Sequence, residues 1–273
     1  MIDFEAPTTR RAAFLYVAAF GAGAVALGAR PAFAQTRFAQ ARPEPKLDVV
    51  YVPTPQPLVD RMLVMAEVKP TDFVMDLGCG DGRMIVTAAK TYGTRGYGVD
   101  INPERIEEAN ANARSAGVAD KVKFEVANLF EQSMAKADVL TMYLLSEINL
   151  KLRPKILAEM KPGSRVVSHA FSMGQWEPDA KDMIEGKQAY LWYVPAQVAG
   201  TWKVEGETDL QLDLKQQFQM VTGRVTSDGR QSEVSGKLKG TEIALTIEGR
   251  DRPMTGRVDG QEIVGTNWRA RRS

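Results

Sequence analysis

Asp72-Phe73-Val74-Met75-Asp76-Leu77-Gly78-Cys79-Gly80-Asp81-Gly82-Arg83, answered by Gly96-Tyr97-Gly98-Val99-Asp100, is the stretch whose reading decides the fold. An apolar run that ends in an acid and breaks into glycines at alternate positions reads as a strand passing through a tight turn into a helix. Glycines there let the backbone take positive φ and let a ligand approach with no Cβ in the way. A second short strand ends at Asp100, about 20 residues past the turn, where a Rossmann-like fold presents an acid to a pair of ribose hydroxyls. Asp76 separates the pattern from a dinucleotide site. A carboxylate just ahead of the loop repels the pyrophosphate that a G-x-G-x-x-G loop is built to hold. It favours a ligand carrying an ammonium and a sulfonium, and S-adenosylmethionine carries both.

The acid-x-Gly-x-Gly-x-Gly run resembles the first motif of the seven-strand, S-adenosylmethionine-dependent (class I) methyltransferases, and the resemblance extends over residues 51–195. It implies a Rossmann-like, doubly wound α/β sheet with the ligand over the carboxyl ends of the strands. It also implies roles for particular residues. Gly78, Gly80 and Gly82, with Cys79 and Asp81 between them, pass close under the methionine moiety and the ribose. Asp76 holds the ammonium and Asp100 accepts from both ribose hydroxyls, a bidentate use for which a carboxylate has the lone pairs. Ile101 packs on the adenine. Asn128 stands where many relatives carry an Asp that receives the adenine amino group, and Leu129 offers its N–H to the ring. The bland alternative for Asn128 is a turn residue. For Cys79 it is a small side chain wanted for packing.

For methyl transfer, the segment after the fourth strand, Tyr143-Leu144-Leu145-Ser146-Glu147, is expected to overlook the methyl group. Tyr143 and Glu147 are its polar groups suited to steering an amine. Their ordinary alternatives are a core aromatic and a first-turn helix acid. His169 is the one histidine, and it reads as structural. Tyr51-Val52-Pro53-Thr54-Pro55, with Val166-Val167-Ser168 and Trp176-Glu177-Pro178, resembles the protein-lysine methyltransferases acting on the mitochondrial ATP synthase c-subunit and the adenine nucleotide carrier. That resemblance makes Tyr51 and Thr54 active-site candidates and a protein the expected substrate. The prolines alternatively serve as a stiff lead-in to the first helix.

Composition bounds the remaining classes. The chain has 273 residues, 44% hydrophobic and 25% charged, enough for two modest cores. A net charge of +1 gives no electrostatic footprint for nucleic acid or an anionic membrane. One histidine and one cysteine exclude a His/Cys metal cluster and an internal disulfide, and no metal is expected. Near the start, Thr9-Arg10-Arg11 leads into an apolar, Ala/Gly-rich run and then Ala32-Phe33-Ala34-Gln35. This reads as an export signal of the twin-arginine type, cleaved after Ala34, which directs the protein to the periplasm. An uncleaved inner-membrane anchor is the alternative, and it would be the chain's only contact with a membrane. Residues 1–34 are then the signal, 35–50 a Pro-containing linker, 51–197 the cofactor domain and 198–273 a second domain.

Within the cofactor domain the expected order is a helix over 58–68 with Leu58, Met62, Leu63 and Met65 inward, strands over 72–77, up to Asp100, 122–126, 139–143, 165–168 and 188–194, and alternating helices. Asn102 and Pro103 open one of those helices, and Pro154 is expected to kink another. Past Gln197 only period-2 segments remain, with a recurring apolar-x-Gly-x-apolar unit: Val221 to Val225, Val234 to Leu238 and Met254 to Val258. They predict a small antiparallel meander or barrel in which glycines mark coiling points. A docking appendage and a ligand cavity are both open readings of it. The function expected is methyl transfer from S-adenosylmethionine to a protein lysine. The competing expectation is an exported nucleoside-binding module without turnover.

Overall fold

The computed structural model describes residues 51–205 and 210–273. The signal, anchor and linker readings therefore lie outside the described residues. Among the described residues no helix is long and apolar enough to cross a membrane.

α1 (Gln56–Met65) precedes β1 (Phe73–Leu77), α2 (Arg83–Tyr92), β2 (Arg95–Asp100), α3 (Pro103–Ser115), β3 (Val122–Val126), β4 (Val139–Met142), α4 (Ser146–Glu159) and β5 (Arg165–His169). β1, β2, β3, β4 and β5 pair in parallel, with β1 between β2 and β4. The local chemistry explains the boundaries. Asn102 accepts from the Glu104 N–H at 2.9 Å to cap α3, and Pro103 follows where no N–H is needed. Gly82 and Gly93, both in the left-handed region, flank α2. α1 buries Leu58, Val59, Met62, Leu63 and Met65 against the sheet, and α4 runs unbroken through Pro154. An Arg165–Asp72 ion pair, with Arg165 Nε donating to the Ala66 carbonyl at 2.9 Å, fastens the end of α1 and the start of β1 to β5.

Two strands, not one, complete the sheet. β6 (Ala180–Ile184) and β7 (Lys187–Tyr193) form a hairpin, and β7 lies antiparallel between β5 and β6, giving the order β3-β2-β1-β4-β5-β7-β6. The sheet is therefore mixed rather than wholly parallel. β6 escapes a reading by hydrophobic alternation because it is an edge strand with no fully buried residue. An Arg61–Asp182 ion pair holds it to α1.

β8 (Gly200–Glu205), β9 (Gln211–Gln217), β10 (Met220–Ser227), β11 (Arg230–Lys239), β12 (Glu242–Ile247), β13 (Met254–Asp259), β14 (Glu262–Gly265) and β15 (Arg269–Arg272) close an eight-stranded antiparallel barrel. Its interior is filled by Trp202, Leu212, Val221, Leu238, Leu245, Ile263 and their neighbours, as expected of a barrel this small. The filled interior argues against the ligand-cavity reading left open by the sequence. The strand glycines allow close approach between strands: a Cβ at Gly223 would lie 2.0 Å from the Asp213 carbonyl oxygen, and one at Gly236 2.4 Å from that of Ala244.

The barrel is seated on the sheet domain. The two-residue turn between β9 and β10 carries Phe218, in the left-handed region at φ 54°, and buried Gln219. The Phe218 ring stacks on Trp176 with centroids 6.3 Å apart, and Gln219 Nε2 donates to the Glu177 carbonyl at 2.6 Å. Trp192 lies in the sheet-domain core and Trp202 in the barrel core, so the aromatic link between the domains runs through Phe218.

Gly223→Ala is expected to destabilise the barrel more than Gly249→Ala. The first forces backbone apart, while the second meets nothing within 4 Å and bears only the cost of its φ of 83°, about 1–2 kcal/mol. Urea unfolding of the two variants checks this, and equal losses would sink the close-approach explanation.

Candidate active site

The loop between β1 and α2 is shaped by backbone hydrogen bonds. Gly78 and Cys79 both donate to the Val99 carbonyl at 2.9 Å, and Gly80 donates to Asp100 Oδ2 at 2.9 Å. Asn102 N–H reaches the other carboxylate oxygen, Oδ1, at 2.9 Å. One N–H on each oxygen fixes the Asp100 carboxylate and leaves a lone pair on each for a further donor pair. Gly78, Gly80 and Gly82 all have positive φ, and a Cβ at Gly80 would stand 2.3 Å from the Tyr51 ring. Side chains other than glycine would be strained there and would push into the wall.

A cavity of about 490 Å³ opens over this loop. Its wall contains Tyr51, Thr54, Asp76, Gly78, Cys79, Asp81, Asp100, Ile101, Asn128, Leu129 and Tyr143. Asp76 is 7% exposed and accepts from Thr141 Oγ1 at 2.8 Å. Burial raises its pKa to about 7, the Thr141 hydrogen bond opposes that shift, and the charges of Asp100 and Asp81 add to it. A buried carboxyl in this state is poised for a cation. Arg83 grips Asp81 with Nε on Oδ1 at 2.9 Å and Nη2 on Oδ2 at 2.6 Å. Although burial works the other way, these bonds hold the Asp81 carboxyl below its ordinary range. The buried Cys79 thiol is pushed well up by burial and packs where a Gly98 side chain would be, so it is inert.

Tyr51 lies on the glycine loop with the Arg105 guanidinium 4.7 Å from its ring centroid. Thr54 is buried, its hydroxyl 3.1 Å from His169 Nδ1 and its carbonyl accepting from Arg83 Nη1 at 3.0 Å. His169 stacks on Tyr143 with centroids 3.7 Å apart, and Phe171 covers Tyr143 at 6.1 Å. Burial, and then the charge of Lys187, lower the His169 pKa to about 4, so its ring is neutral near pH 7. Among the described residues no hydrogen-bond partner meets the Tyr143 hydroxyl.

Two sequence expectations need revision. Glu147, read as steering an amine, is exposed on the first turn of α4 and outside the cavity wall. Leu145 precedes the helix in extended conformation, and Leu144, Leu145 and Ile148 occupy the wall instead. Glu147 is left complementing the helix dipole. Asn128 lines the cavity, but its Oδ1 accepts from the Phe130 N–H at 3.0 Å and its Nδ2 donates to Glu131 at 3.0 Å. It is therefore a turn residue as well, with one acceptor lone pair left. Arg105 and Phe171 are wall residues that sequence reasoning missed. The Asn102-Pro103 cap places position 105 in the first turn of α3 beside the loop and was the available signal for Arg105. Phe171 had none. Among the described residues no cluster of three or more His, Cys, Asp or Glu is arranged to hold a metal.

Comparison with known proteins agrees with this geometry. Residues 76–180 match the ANTKMT methyltransferase domain family. A protein-lysine N-methyltransferase of Saccharolobus islandicus is 50% identical over 131 residues, covering 48% of this chain and 81% of that protein. The adenine nucleotide translocase lysine N-methyltransferase of Mus musculus is 33% identical over 136 residues; the match covers 50% of this chain and only 58% of the mouse protein. An RNA methyltransferase from Salinibacter ruber, solved in complex with S-adenosyl-L-homocysteine, is 48% identical with a TM-score of 0.53, covering 54% of this chain and 96% of that one. The cofactor is S-adenosylmethionine, and the residues fit it: a cation-seeking carboxyl at Asp76, glycine backbone at Gly78 lining the cavity, and open lone pairs on Asp100.

The Asp76 pKa sets the sign of a pH effect. Raised from 3.8 to about 7 in the fold, it imposes a penalty that is absent below pH ~4, grows as the carboxyl ionises and is complete above pH ~7, on the order of several kcal/mol. Asp76→Asn is thus expected to stabilise the ligand-free protein at pH 8 and leave it little changed at pH 4. It is also expected to weaken S-adenosylmethionine binding and to abolish the rise in affinity expected of the unaltered protein from pH 6 to 7.5. Asp100→Ala is expected to lose more than about tenfold in affinity at every pH, since a hydrogen bond to a charged group contributes about 1.5–3 kcal/mol. Thermal unfolding and calorimetric titration across pH check all three, and a flat profile for the unaltered protein would remove Asp76 as the cation partner.

Proposed function

The chain belongs to the S-adenosylmethionine-dependent protein-lysine N-methyltransferase family, and from that membership we propose that it transfers a methyl group to the ε-amino group of a lysine in a partner protein. The observation that carries the substrate class is the 50% identity to a protein-lysine N-methyltransferase across 81% of that protein.

When bound, S-adenosylmethionine supplies an already activated methyl group, so the chain's task is to align the nucleophile and control its proton. Strand order divides the labour. Asn128 and Asp100 follow or end β3 and β2, Asp76 lies in β1, and Tyr143 and Phe171 follow β4 and β5. With ribose and ammonium assigned to β2 and β1, the acceptor side is the β4–β5 side. Leu144, Leu145, Ile148 and Phe171 make that wall apolar. A lysine side chain entering it sheds water, which lowers its pKa and favours the neutral, nucleophilic amine. His169, held neutral, adds no competing charge. The Tyr143 ring is stacked with His169 and Phe171, leaving its hydroxyl as the group that hydrogen-bonds the amine. Thr54 acts one step back by orienting His169.

Incubating the protein with radiolabelled S-adenosylmethionine and separated protein and RNA fractions tests the substrate class. Label is expected in protein, as methylated lysine, with Tyr143→Phe reducing kcat/KM by about tenfold or more at retained cofactor affinity. Label in RNA alone, or in neither fraction, would reject the proposal.

From residues 1–35 we further infer export by a twin-arginine signal with Ala34 the last residue removed. Arg10 and Arg11 ahead of the apolar run and the Ala32-Phe33-Ala34 site support it. That route carries folded proteins and suits a chain that encloses its cofactor. Residues 1–35 fused to a reporter active only when exported folded should lose export on Arg10→Lys with Arg11→Lys, and unchanged export would rule out the twin-arginine assignment.

A further inference from the structure

The segment after β5 is held in a shape that its own sequence does not favour. Phe171 N–H donates to the His169 carbonyl at 2.8 Å, closing a three-residue turn around Ala170, whose φ is 64°. Such a turn is rare and strained for a residue with a side chain. It persists because the surroundings clamp it. Ser168 Oγ donates to the Phe171 carbonyl at 2.7 Å, and Asn149 Nδ2, fully buried on α4, donates to the same oxygen at 3.1 Å. Arg153 Nη1 donates to the Met173 carbonyl at 2.7 Å, and Met173 bridges to Trp176.

The far side of this clamp belongs to the barrel. Phe218 lies with one face on Trp176, at an interplanar angle of 16°, and with the Arg153 guanidinium 5.0 Å from its ring centroid. Gln219, 2% exposed, hydrogen-bonds the Glu177 carbonyl. Phe218 itself holds a left-handed φ of 54°. A bulky residue in that region is uncommon and strained, which points to the ring's contact as the reason for its place. The turn between β9 and β10 therefore grips the far end of the segment, at Met173 to Glu177, while Ser168 and Asn149 hold the near end that carries Phe171 into the cavity wall.

We propose that the barrel is a brace for the methyl acceptor: Phe218 and Gln219 are positioning residues that, through Trp176 and Arg153, hold Phe171 against Tyr143 on the acceptor side of the cavity. This rests on the proposed function for the identity of that side. Among the described residues the turn's hydrogen-bond and ring contacts to the sheet domain go to Glu177, Trp176 and Arg153 and none to β1, β2 or β3, so the brace acts on the acceptor and not on S-adenosylmethionine. Misplacement of an aligning wall by a distant change can cost up to ~100-fold in rate.

Phe218→Gly removes the ring while relieving the left-handed strain, which keeps the barrel folded, and Phe218→Tyr retains the ring as the rescue variant. In the full chain, Phe218→Gly is expected to raise amide hydrogen exchange at Phe171 and Trp176 by about tenfold or more and leave the glycine loop protected. Its acceptor kcat/KM should fall about tenfold while the calorimetric affinity for S-adenosylmethionine is unchanged, and Phe218→Tyr should restore both. Unchanged exchange over residues 170–178 overturns the brace. So does raised exchange with undiminished acceptor kinetics, or an equal loss of cofactor affinity. If the unaltered protein methylates no acceptor, the proposed function fails by itself, and the exchange data alone decide whether Phe218 holds Phe171.

Discussion

The carbonyl of Val99 receives two backbone N–H groups, from Gly78 and Cys79, and the adjacent Asp100 carboxylate receives a third, from Gly80. Every feature of the cofactor side depends on this junction. It bends the chain leaving β1 across the end of β2 before α2 packs back on the sheet through Met84, Ile85, Ala88 and Ala89. It also uses Asp100 twice, as a hydrogen-bond partner for the loop and as an acceptor left open toward the cavity. Only glycines tolerate the positive φ values and the approach of Tyr51 that such a bend requires.

Asp76 stands against that economy. Burial without a cation costs stability, and the nearby charges of Asp100 and Asp81 increase the cost. A site tuned only for folding would carry a neutral residue there. The penalty is released when a positive group arrives, so folding energy withheld in the free protein reappears as affinity for the charged end of the cofactor. His169 shows the opposite adjustment: burial keeps it uncharged, and the acceptor wall stays apolar. One cavity thus presents a charged half and a neutral half, matched to a cationic cofactor and to an amine that must lose its proton before it reacts.

The barrel solves a different problem. Its interior is consumed by its own side chains and the backbones at Gly223 and Gly236 nearly touch their neighbours, so its contribution is made from the outside, through the turn between β9 and β10 and through Lys237 and Lys239 on Asp179 and Tyr193. A rigid closed sheet is well suited to that, because a turn carried on it moves little. Phe218 is held in a conformation it disfavours and Ala170 in another. Trp176 and Arg153 link the segment that carries one strained point to the turn that carries the other, as expected where surrounding structure over-determines a functional segment.

What the sequence by itself determined follows local rules. The acid and glycines of residues 76–82, the acid at 100 and the Asn102-Pro103 cap declare their geometry because φ preference, capping and charge are properties of single residues and short spacings. The alternation past residue 198 announced a small antiparallel β domain for the same reason, and its closure into a barrel came from the pairing of β15 with β8. What only the tertiary structure decided depends on partners far apart in sequence. β6 lacks an apolar rhythm because its neighbours leave it at an edge. Glu147 is exposed and absent from the cavity wall, whose positions there are taken by Leu144, Leu145 and Ile148. Phe171 reaches the wall only because Ser168, Asn149 and, through Trp176, Phe218 hold an unfavourable turn in place. A residue placed by contacts from three separate parts of the chain leaves no signature in its own neighbourhood, and only the fold can reveal it.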